Sequence, residues 1–458
     1  MTLAAMTSTT RKACARERHV RNIAADEPKF PAAGVNIAPG SDDDGWIVPP
    51  PVRLADGSEV QLYKDGEALH AAYRAIETAQ QTICLEIYIF HSDETGRAFA
   101  ELLSERARKG LAVRVIYDSI GSIDTDRKMF AQMQQAGVRL QECNPWWPWR
   151  CRHGWRTFNR DHRKLIVVDN ELGVLGGQNL GNEYGSSWVI GNVEGDAWRD
   201  TAVGVRGPSV ALLVEAFERM WKWLEEGGPV QRAELIHSTA SFAGDPRGDG
   251  LVHGQPAHRR RRAASQLDAS PSTLEIPPDS LAVLASVPSP RSRLLPNLQK
   301  LLRDARQSLD LTIAYFAPPQ ALLDDLIRAA RNGVRVRLML PGRSDVLLLL
   351  IAARAHYECL MAAGVEIYER QHAVLHAKTL CVDERISIVG SLNLDYRSIQ
   401  YNFELSALIH SKPFGAQMRD LFENDMRYAI RIRPEQWRHR PIRDRIVQTI
   451  VGRARCLL

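Results

Sequence analysis

Residues 160–183 read RDHRKLIVVDNELGVLGGQNLGNE, and residues 374–395 read VLHAKTLCVDERISIVGSLNLD. The first stretch holds His162, Lys164 and Asp169 in the spacing H-x-K-x4-D, followed by Gly176, Gly177 and Asn179. The second holds His376, Lys378 and Asp383, followed by Gly390, Ser391 and Asn393. His162 and His376 stand 214 positions apart, and so do Gly176 and Gly390. In an extended segment, residues two apart point to the same face, so each copy sets an imidazole beside an ammonium. LIVV in one copy and TLCV in the other continue each strand into a core. A single H-x-K is common by chance. Two full copies, each with its glycine and asparagine at the same distance downstream, imply a duplicated unit.

The sequence around the two motifs repeats as well. Upstream of the first, TICLEIYIF (82–90) predicts a strand, 96–109 a helix closed by Gly110, LAVRVIYD (111–118) a strand, 125–136 a helix and VRLQEC (138–143) a strand. A short strand at 58–64 and a helix at 66–80 precede them. Upstream of the second, DLTIAYF (310–316) predicts a strand, 319–332 a helix ended by Gly333, VRVRLMLPG (334–342) a strand and 345–363 a helix, after which Gly364 opens VEIYE. Strands alternating with helices predict sheets with crossover helices. Gly137 and Gly364, each within AGV, lie 227 apart, so the first copy carries 13 extra residues before its histidine. The excess falls in NPWWPWRCRHGWRTFNR (144–160). The expected architecture is α/β, with two similar lobes, each a mixed β-sheet flanked by helices, and a site at the lobe interface. The expected divisions are a flexible leader at 1–50, a first lobe at 51–231, a linker or surface loop at 232–278, and a second lobe with a basic helical tail at 279–458.

At 458 residues the chain is long for one core and natural for two. Hydrophobic content of 45% and charged content of 25% predict a soluble globular protein. The net charge of +5 names no partner by itself, and suits an anionic substrate or membrane surface. The seven cysteines are scattered without a C-x-x-C pair, and Cys84 and Cys381 sit in apolar runs. This predicts buried free thiols in a reducing compartment. No apolar run reaches the roughly 18 residues of a spanning helix. The longest, VLLLLIAA (346–353), predicts a helix buried in protein. The first residues lack the uninterrupted apolar core of a secretory signal. The run Arg259–Arg262 predicts a solvated face, with contact to anionic headgroups as the alternative.

Two histidines and two lysines suit phosphodiester cleavage that uses neither metal nor cofactor. One imidazole attacks phosphorus and becomes a phosphohistidine. The other protonates the leaving alcohol and later deprotonates the acceptor. Lys164 and Lys378, with Asn179 and Asn393, hold the non-bridging oxygens. The ammonium groups depress the pKa of the attacking imidazole. The acid histidine needs a carboxylate, for which Glu404 in NFE and Asp200 in WRD are the candidates. Both are grouped with the two asparagines as substrate-binding residues. Asp169 and Asp383 are grouped with the catalytic set, although their position at strand ends suits fixing the strands equally well. The residues alone leave open which histidine attacks.

These motifs resemble those of the phospholipase D superfamily, and the wording around each copy is similar to that of bacterial cardiolipin synthases. The resemblance covers roughly 60–230 and 280–435. Its landmarks are LEIYIF with Glu86 and Tyr88, then Asp93 and Gly96; HRKLIVVD and GGQNLGNEY; and W-R-D at 198–200. In the second half they are AYFAPP (314–319), PGRSD (341–345), HAKTLCVD, GSLNLDYRS, and Asn402 with Glu404. The resemblance implies two phospholipase D-type lobes and cardiolipin synthesis from phosphatidylglycerol with release of glycerol. It assigns His162 as nucleophile and His376 as acid and base. It implies phospholipid substrates, with phosphatidylethanolamine as another donor, and peripheral contact with the anionic bacterial inner membrane on its cytoplasmic side. Many such synthases carry N-terminal transmembrane segments; this chain shows none and looks like the shorter branch. The loop with Trp146, Trp147, Trp149 and Trp155 among Arg150, Arg152 and Arg156 suits docking at a membrane interface, or equally a cap over the cleft. Hydrolysis by water is the first competing function. A nuclease is the second, but the charge is modest and no aromatic-lined basic stripe is evident, so no nucleic-acid partner is expected. A non-catalytic scaffold would predict decay of one motif, and both are intact.

Overall fold

Periodicity in the first half becomes a run of strands and helices that the second half repeats. Strands β1 (Val52–Arg53) and β2 (Glu59–Lys64) lead into α1 (Glu67–Thr78) and β3 (Thr82–Ile87). Helix α2 (Glu94–Arg108), β4 (Ala112–Asp118), α3 (Arg127–Gln135) and β5 (Arg139–Cys143) follow. The short β6 (Arg160–Asp161) precedes β7 (Leu165–Val168), β8 (Leu172–Gly176), α4 (Asn182–Val189), β9 (Thr201–Arg206) and α5 (Val210–Glu225). The second half runs β10 (Ser280–Ser286), α6 (Leu294–Asp304), β11 (Ser308–Ile313), β12 (Phe316–Ala317), α7 (Gln320–Arg331) and β13 (Arg335–Pro341). Then come α8 (Leu347–Arg354), α9 (Tyr357–Ala362), β14 (Glu366–Arg370), β15 (Lys378–Val382), β16 (Ile386–Gly390) and β17 (Leu394–Asp395). Helix α10 (Tyr396–Gln400), β18 (Asn402–His410), α11 (Lys412–Met426), β19 (Ala429–Ile432), α12 (Pro434–Arg438) and α13 (Ile442–Arg453) complete it. The computed structural model describes residues 45–146, 158–189, 198–227, 276–288 and 292–453. The readings made for the leader through residue 44, for Trp147, Trp149 and Trp155 in the loop, and for 232–275 with its arginine run lie outside the described residues.

The first sheet has the order β1-β2-β9-β8-β7-β3-β4-β5, the second β10-β18-β16-β15-β11-β13-β14-β19. In each, the strands that alternate with helices are parallel (β3, β4, β5 and β11, β13, β14). The motif strands then add antiparallel, with Leu85 opposite Ile166 in one sheet and Leu311 opposite Leu380 in the other. Both sheets are therefore mixed and flanked by helices. The motif strands are buried on both faces, which is why LIVV and TLCV are continuous apolar runs rather than alternating ones.

Their inner faces meet. Leu165, Val167 and Val205 of the first sheet share one buried cluster with Cys381, Val389 and Leu405 of the second. Phe217 and Trp221 of α5 and Phe414 and Met418 of α11 close its sides. Each aliphatic side chain so buried contributes about 1.5–3 kcal/mol. This shared core makes Trp46–Leu458 one compact unit. The outer faces are covered separately, by Phe99 and Leu103 of α2 on the first sheet and by Leu322 and Leu326 of α7 on the second. Among the described cysteines Cys84, Cys143 and Cys381 are buried free thiols, as expected, but Cys359 is exposed.

Two expectations change. The helix read over 345–363 is two helices, α8 and α9, separated at Ala355–His356. The break buries His356 against the Phe316 ring and sends Tyr357 into the core. The apolar run 346–353 is not wholly buried either. Leu350, Ala352 and Ala353 face protein, but Val346, Leu347 and Leu348 are exposed, Leu347 by 65%. Apolar content marked the helix; which of its faces is covered depends on neighbours distant in sequence.

Candidate active site

Each histidine reaches the interface on a short crossing of the chain onto the other lobe. Arg160 and Asp161 pair in parallel with Asn402 and Phe403, and the His162 amide donates to the Phe403 carbonyl at 3.0 Å. In the reverse sense, Arg199 bridges to Leu375; its amide donates to Val374, and the His376 amide donates to the Arg199 carbonyl at 2.8 Å. The two crossings interleave the lobes at the motif histidines.

The side chains cross in the same way. Nδ1 of His162 lies 3.0 Å from Oε2 and 3.2 Å from Oε1 of Glu404, a second-lobe residue. Nδ1 of His376 lies 2.7 Å from Oδ2 of Asp200, a first-lobe residue. A carboxylate on Nδ1 fixes the ring and its tautomer and leaves Nε2 for a substrate. Glu404 and Asp200 are thus committed to the rings, not to direct substrate contact as grouped from sequence. Ser391 donates to Glu404 Oε2 at 2.5 Å and Asn402 to Oε1 at 3.2 Å.

Lys164 and Lys378 are buried beside them. Nζ of Lys164 donates to the His162 carbonyl at 2.8 Å, and Nζ of Lys378 to the His376 carbonyl. Each ammonium also lies over a tyrosine ring of its own lobe, Lys164 at 5.0 Å from Tyr88 and Lys378 at 6.0 Å from Tyr315. Those tyrosines flank the histidines edge-on, Tyr88 against His162 and Tyr315 against His376. Tyr184 and Trp198 complete the wall around His376.

Burial and charge set the protonation states. His162 is held well below the ordinary imidazole value by burial, then by the charges of Lys164, Lys378 and His376. Those contributions come from both lobes, so the two half-sites share one electrostatic environment. His376 is lowered by burial and Lys378, with Asp200 acting in the opposite direction. Burial brings Lys164 down to about 7 and Lys378 to about 8. Burial lifts Glu404 to about 7, against the pull of Lys164. An arriving phosphate anion would restore full charge to both lysines.

The structure brings together His162, Lys164, His376, Lys378, Glu404 and Asp200. Asn179 and Asn393 sit next to this set and brace it. Their Oδ1 atoms accept from the Ile89 and Tyr315 amides at 3.1 and 3.2 Å, which fixes the chain that carries Tyr88 and Tyr315. Asn179 Nδ2 also donates to Tyr184. Asp169 and Asp383 are elsewhere, and their grouping with the catalytic set is corrected. The Asp169 carboxylate accepts from the amides of Gln80, Gln81 and Thr82, all at 2.7–2.8 Å. Asp383 does the same for Arg306, Gln307 and Ser308. Both have positive φ, near 50°, at the turn after the motif strand. Seven residues of extended chain span about 23 Å, which takes these carboxylates to the far end of the strand from the histidines.

Sequence reasoning named Ser391 and Asn402 as landmarks but not as the donors that hold Glu404, and it missed the network behind Asp200. Arg199, fully buried, grips Asp425 with Nε and Nη2 at 2.7 and 2.8 Å, and Arg370 joins Asp425 at 3.2 Å. The arginine of W-R-D, apolar at the matching position Phe403, was the available signal. Among the described residues, no group of three or more His, Cys, Asp or Glu could hold a metal ion.

A family model described as "Cardiolipin synthase, PLD-like domain" matches residues 73–221 and 298–426, spans that contain both motifs and both crossing carboxylates. A cardiolipin synthase of Listeria monocytogenes serotype 4a is 31% identical over 427 residues, 91% of this chain and 79% of that protein. One of Geobacillus kaustophilus is 30% identical over 404 residues, 87% of this chain and 72% of that protein. Among solved structures, a phosphatidylserine synthase from Haemophilus influenzae superposes with a TM-score of 0.62 over 89% of this chain and 97% of that one, at 14% identity. At that identity the likeness concerns the fold alone.

Proposed function

The chain belongs to the cardiolipin synthase family with phospholipase D-like domains, and from that premise we propose that it transfers a phosphatidyl group between phospholipids through a phosphohistidine on His162. It is a phospholipase D-type phosphatidyltransferase, and its reaction is cardiolipin synthesis. The observation that carries the detailed reading is the crossed pairing of each histidine with a carboxylate of the opposite lobe.

In the first half-reaction the neutral Nε2 of His162 attacks the phosphorus of phosphatidylglycerol. The bond from phosphorus to the headgroup glycerol oxygen breaks, and His376 donates the proton that this oxygen takes up. Glycerol leaves and the phosphatidyl group stays on His162. A hydroxyl of a second phosphatidylglycerol then gives its proton to His376 and attacks phosphorus. The phosphorus–nitrogen bond breaks and cardiolipin is released. Lys164 and Lys378 stabilise the charge that builds on the non-bridging oxygens. Burial and the neighbouring ammonium charges that hold His162 unprotonated support its use as nucleophile. Asp200, which favours the protonated form of His376, supports the acid–base assignment. Phosphatidylethanolamine is a second donor under this reading, with ethanolamine as leaving group. The reading places the enzyme peripherally on the cytoplasmic face of a bacterial inner membrane; among the described residues no helix is long and apolar enough to cross one.

The test is product analysis with phosphatidylglycerol as sole lipid, with and without chelator. Cardiolipin and glycerol in equal amounts, undiminished by chelator, are expected. Phosphatidic acid without cardiolipin would replace transfer with hydrolysis, and a requirement for added metal would overturn the mechanism.

A further inference from the structure

We propose that the outward faces of α8 and α13 form the surface by which this protein lies on an anionic phospholipid bilayer, an assignment that rests on the lipid-transfer reading above. The starting observation is an inverted helix. A helix on the surface of a water-soluble domain turns its apolar stripe inward. In α13, Ile442, Ile446 and Ile450 follow one another at four-residue spacing, and they are exposed by 72%, 55% and 63%. Val447 beside them is also exposed, while the polar Gln448 is the buried residue, bonded to Arg440 Nε at 3.0 Å. Gly452 lies against Ala355 at the end of α8, where an added Cβ would come within 2.7 Å of the alanine methyl, so the two helices pack closely. The first turn of α8 adds Val346, Leu347 and Leu348, also exposed. Single exposed apolar residues are ordinary, but seven on two packed helices make a patch of the kind that marks an interaction surface.

Charge identifies the occupant. Arg443 and Arg453 share the exposed side of α13 with its isoleucines, and Arg433, Arg438, Arg440 and Arg445 stand in the same 21-residue stretch against only Glu435 and Asp444. Isoleucines interleaved with arginines suit insertion to the level of acyl chains with guanidinium groups at the lipid phosphates. A protein partner would need an apolar face bearing matching acids. Position agrees with a lipid occupant. Asp345 immediately precedes the exposed turn of α8, and its Oδ2 accepts from Tyr315, whose ring stands edge-on to His376. A phospholipid with its phosphate at the histidines therefore has this apolar rim beside it for its acyl chains. Such a rim lets a lipid enter the site without crossing water.

The experiment compares the full chain with the I442Q/I446Q/I450Q variant. All three positions are exposed, so folding should persist, and circular dichroism checks it. Flotation uses vesicles of phosphatidylglycerol with phosphatidylcholine, against phosphatidylcholine alone. The parent should float with the anionic vesicles and be released by salt, and the variant should lose on the order of 100-fold in vesicle affinity. Turnover of a short-chain phosphatidylglycerol dispersed as monomers should change less than about twofold, because the histidines are untouched. Equal vesicle binding by parent and variant overturns the proposal. So does a parent that dimerises in solution through this face, with the variant monomeric and vesicle binding unchanged, since a second copy would then be the occupant. A parent that floats but turns over no phospholipid would refute the functional reading while leaving the surface standing.

Discussion

The two half-sites are alike in plan and unlike in what stands behind them. Glu404 reaches His162 with neutral support: the Ser391 hydroxyl, the Asn402 amide, and at the preceding position Phe403, packed on Trp223. Asp200 reaches His376 from within a lattice of charges. Its backbone amide bonds to Asp65, its neighbour Arg199 is clamped by Asp425, and Arg370 joins the same carboxylate. At the position where one motif has Ser391, the other has Gly177, and a Cβ there would stand 2.2 Å from Asp200 Oδ1. Duplication supplied two similar histidine–lysine strands, and the divergence lies in the carboxylate supports. On the proposed reaction, an imidazole that attacks benefits from a weakly charged partner, and one that gives up and regains a proton once in each cycle benefits from a carboxylate held in a charged lattice.

The strongest way to break this comparison is to remove the rings. With His162→Asn, turnover should fall by at least about 10⁴-fold, and with phosphorus-labelled lipid no label should remain on the protein after a denaturing quench at alkaline pH, where a phosphohistidine survives. With His376→Asn, turnover should fall by about 10²–10⁴-fold, but labelled protein should still accumulate. Label retained in the first variant and missing from the second would reverse the assignment.

Next in size are the crossed carboxylates. Asp200→Asn and Glu404→Gln should each lower kcat by about 10²–10³-fold, since a neutral amide no longer fixes the ring's tautomer. Because each acts from the opposite lobe, the D200N defect should fall on leaving-group protonation and be largest with poor leaving groups. The E404Q defect should fall on formation of the adduct. Either variant within twofold of the parent would show that the crossing is not used.

These carboxylates mark the boundary of what the chain shows on its face. The 214-residue offset, the paired H-x-K motifs and the alternation of strands and helices all follow from local periodicity, so two mixed sheets were legible. Glu404 and Asp200 were visible as candidates, but not their crossing, because Glu404 is far closer in sequence to His376 than to His162. Pairing β6 with β18 depends on how two sheets meet, and no short-range pattern records that. The aspartates of H-x-K-x4-D misled for a related reason. Spacing along a strand is distance, and Asp169 and Asp383 ended on backbone amides at the starts of β3 and β11. The exposed turn of α8 was equally hidden, since eight apolar residues in a row do not say which of them a neighbour covers.

The glycine–serine difference offers a finer test. Gly177→Ser should displace the Asp200 carboxylate and cost roughly 10–100-fold in kcat, because a backbone-fixed Cβ cannot share that space. Ser391→Ala removes one donor from Glu404 and should cost only about fivefold, in line with about 1 kcal/mol for one hydrogen bond. If the serine change proved the more damaging, the two carboxylates would have to exchange the roles given to them here.

The smallest expected effect is on stability, and it separates Lys164 from Glu404. Folded Lys164 titrates at about 7 where the unfolded chain holds its proton to an ordinary 10.5. Between those values the unfolded state binds the extra proton, so this lysine makes stability rise with pH across the window. Glu404 titrates at about 7 when folded against 4.5 when unfolded, so there the folded state binds the extra proton and stability falls as pH rises from 4.5 to 7. Lys164→Met removes the first slope and, by taking away the charge that pulls Glu404 down, extends the second to higher pH. At pH 7 the variant should be inactive yet more stable by roughly 1–4 kcal/mol, because the fold no longer holds an ammonium far below its ordinary pKa. Urea midpoints of parent and variant at pH 5, 7 and 9 would show it: the gap should narrow towards pH 9, where the parent lysine has already lost its proton. A gap that widens instead would mean that Lys164 is held charged in the empty site, paired with Glu404, and that the half-site of His162 is as ionic as its counterpart.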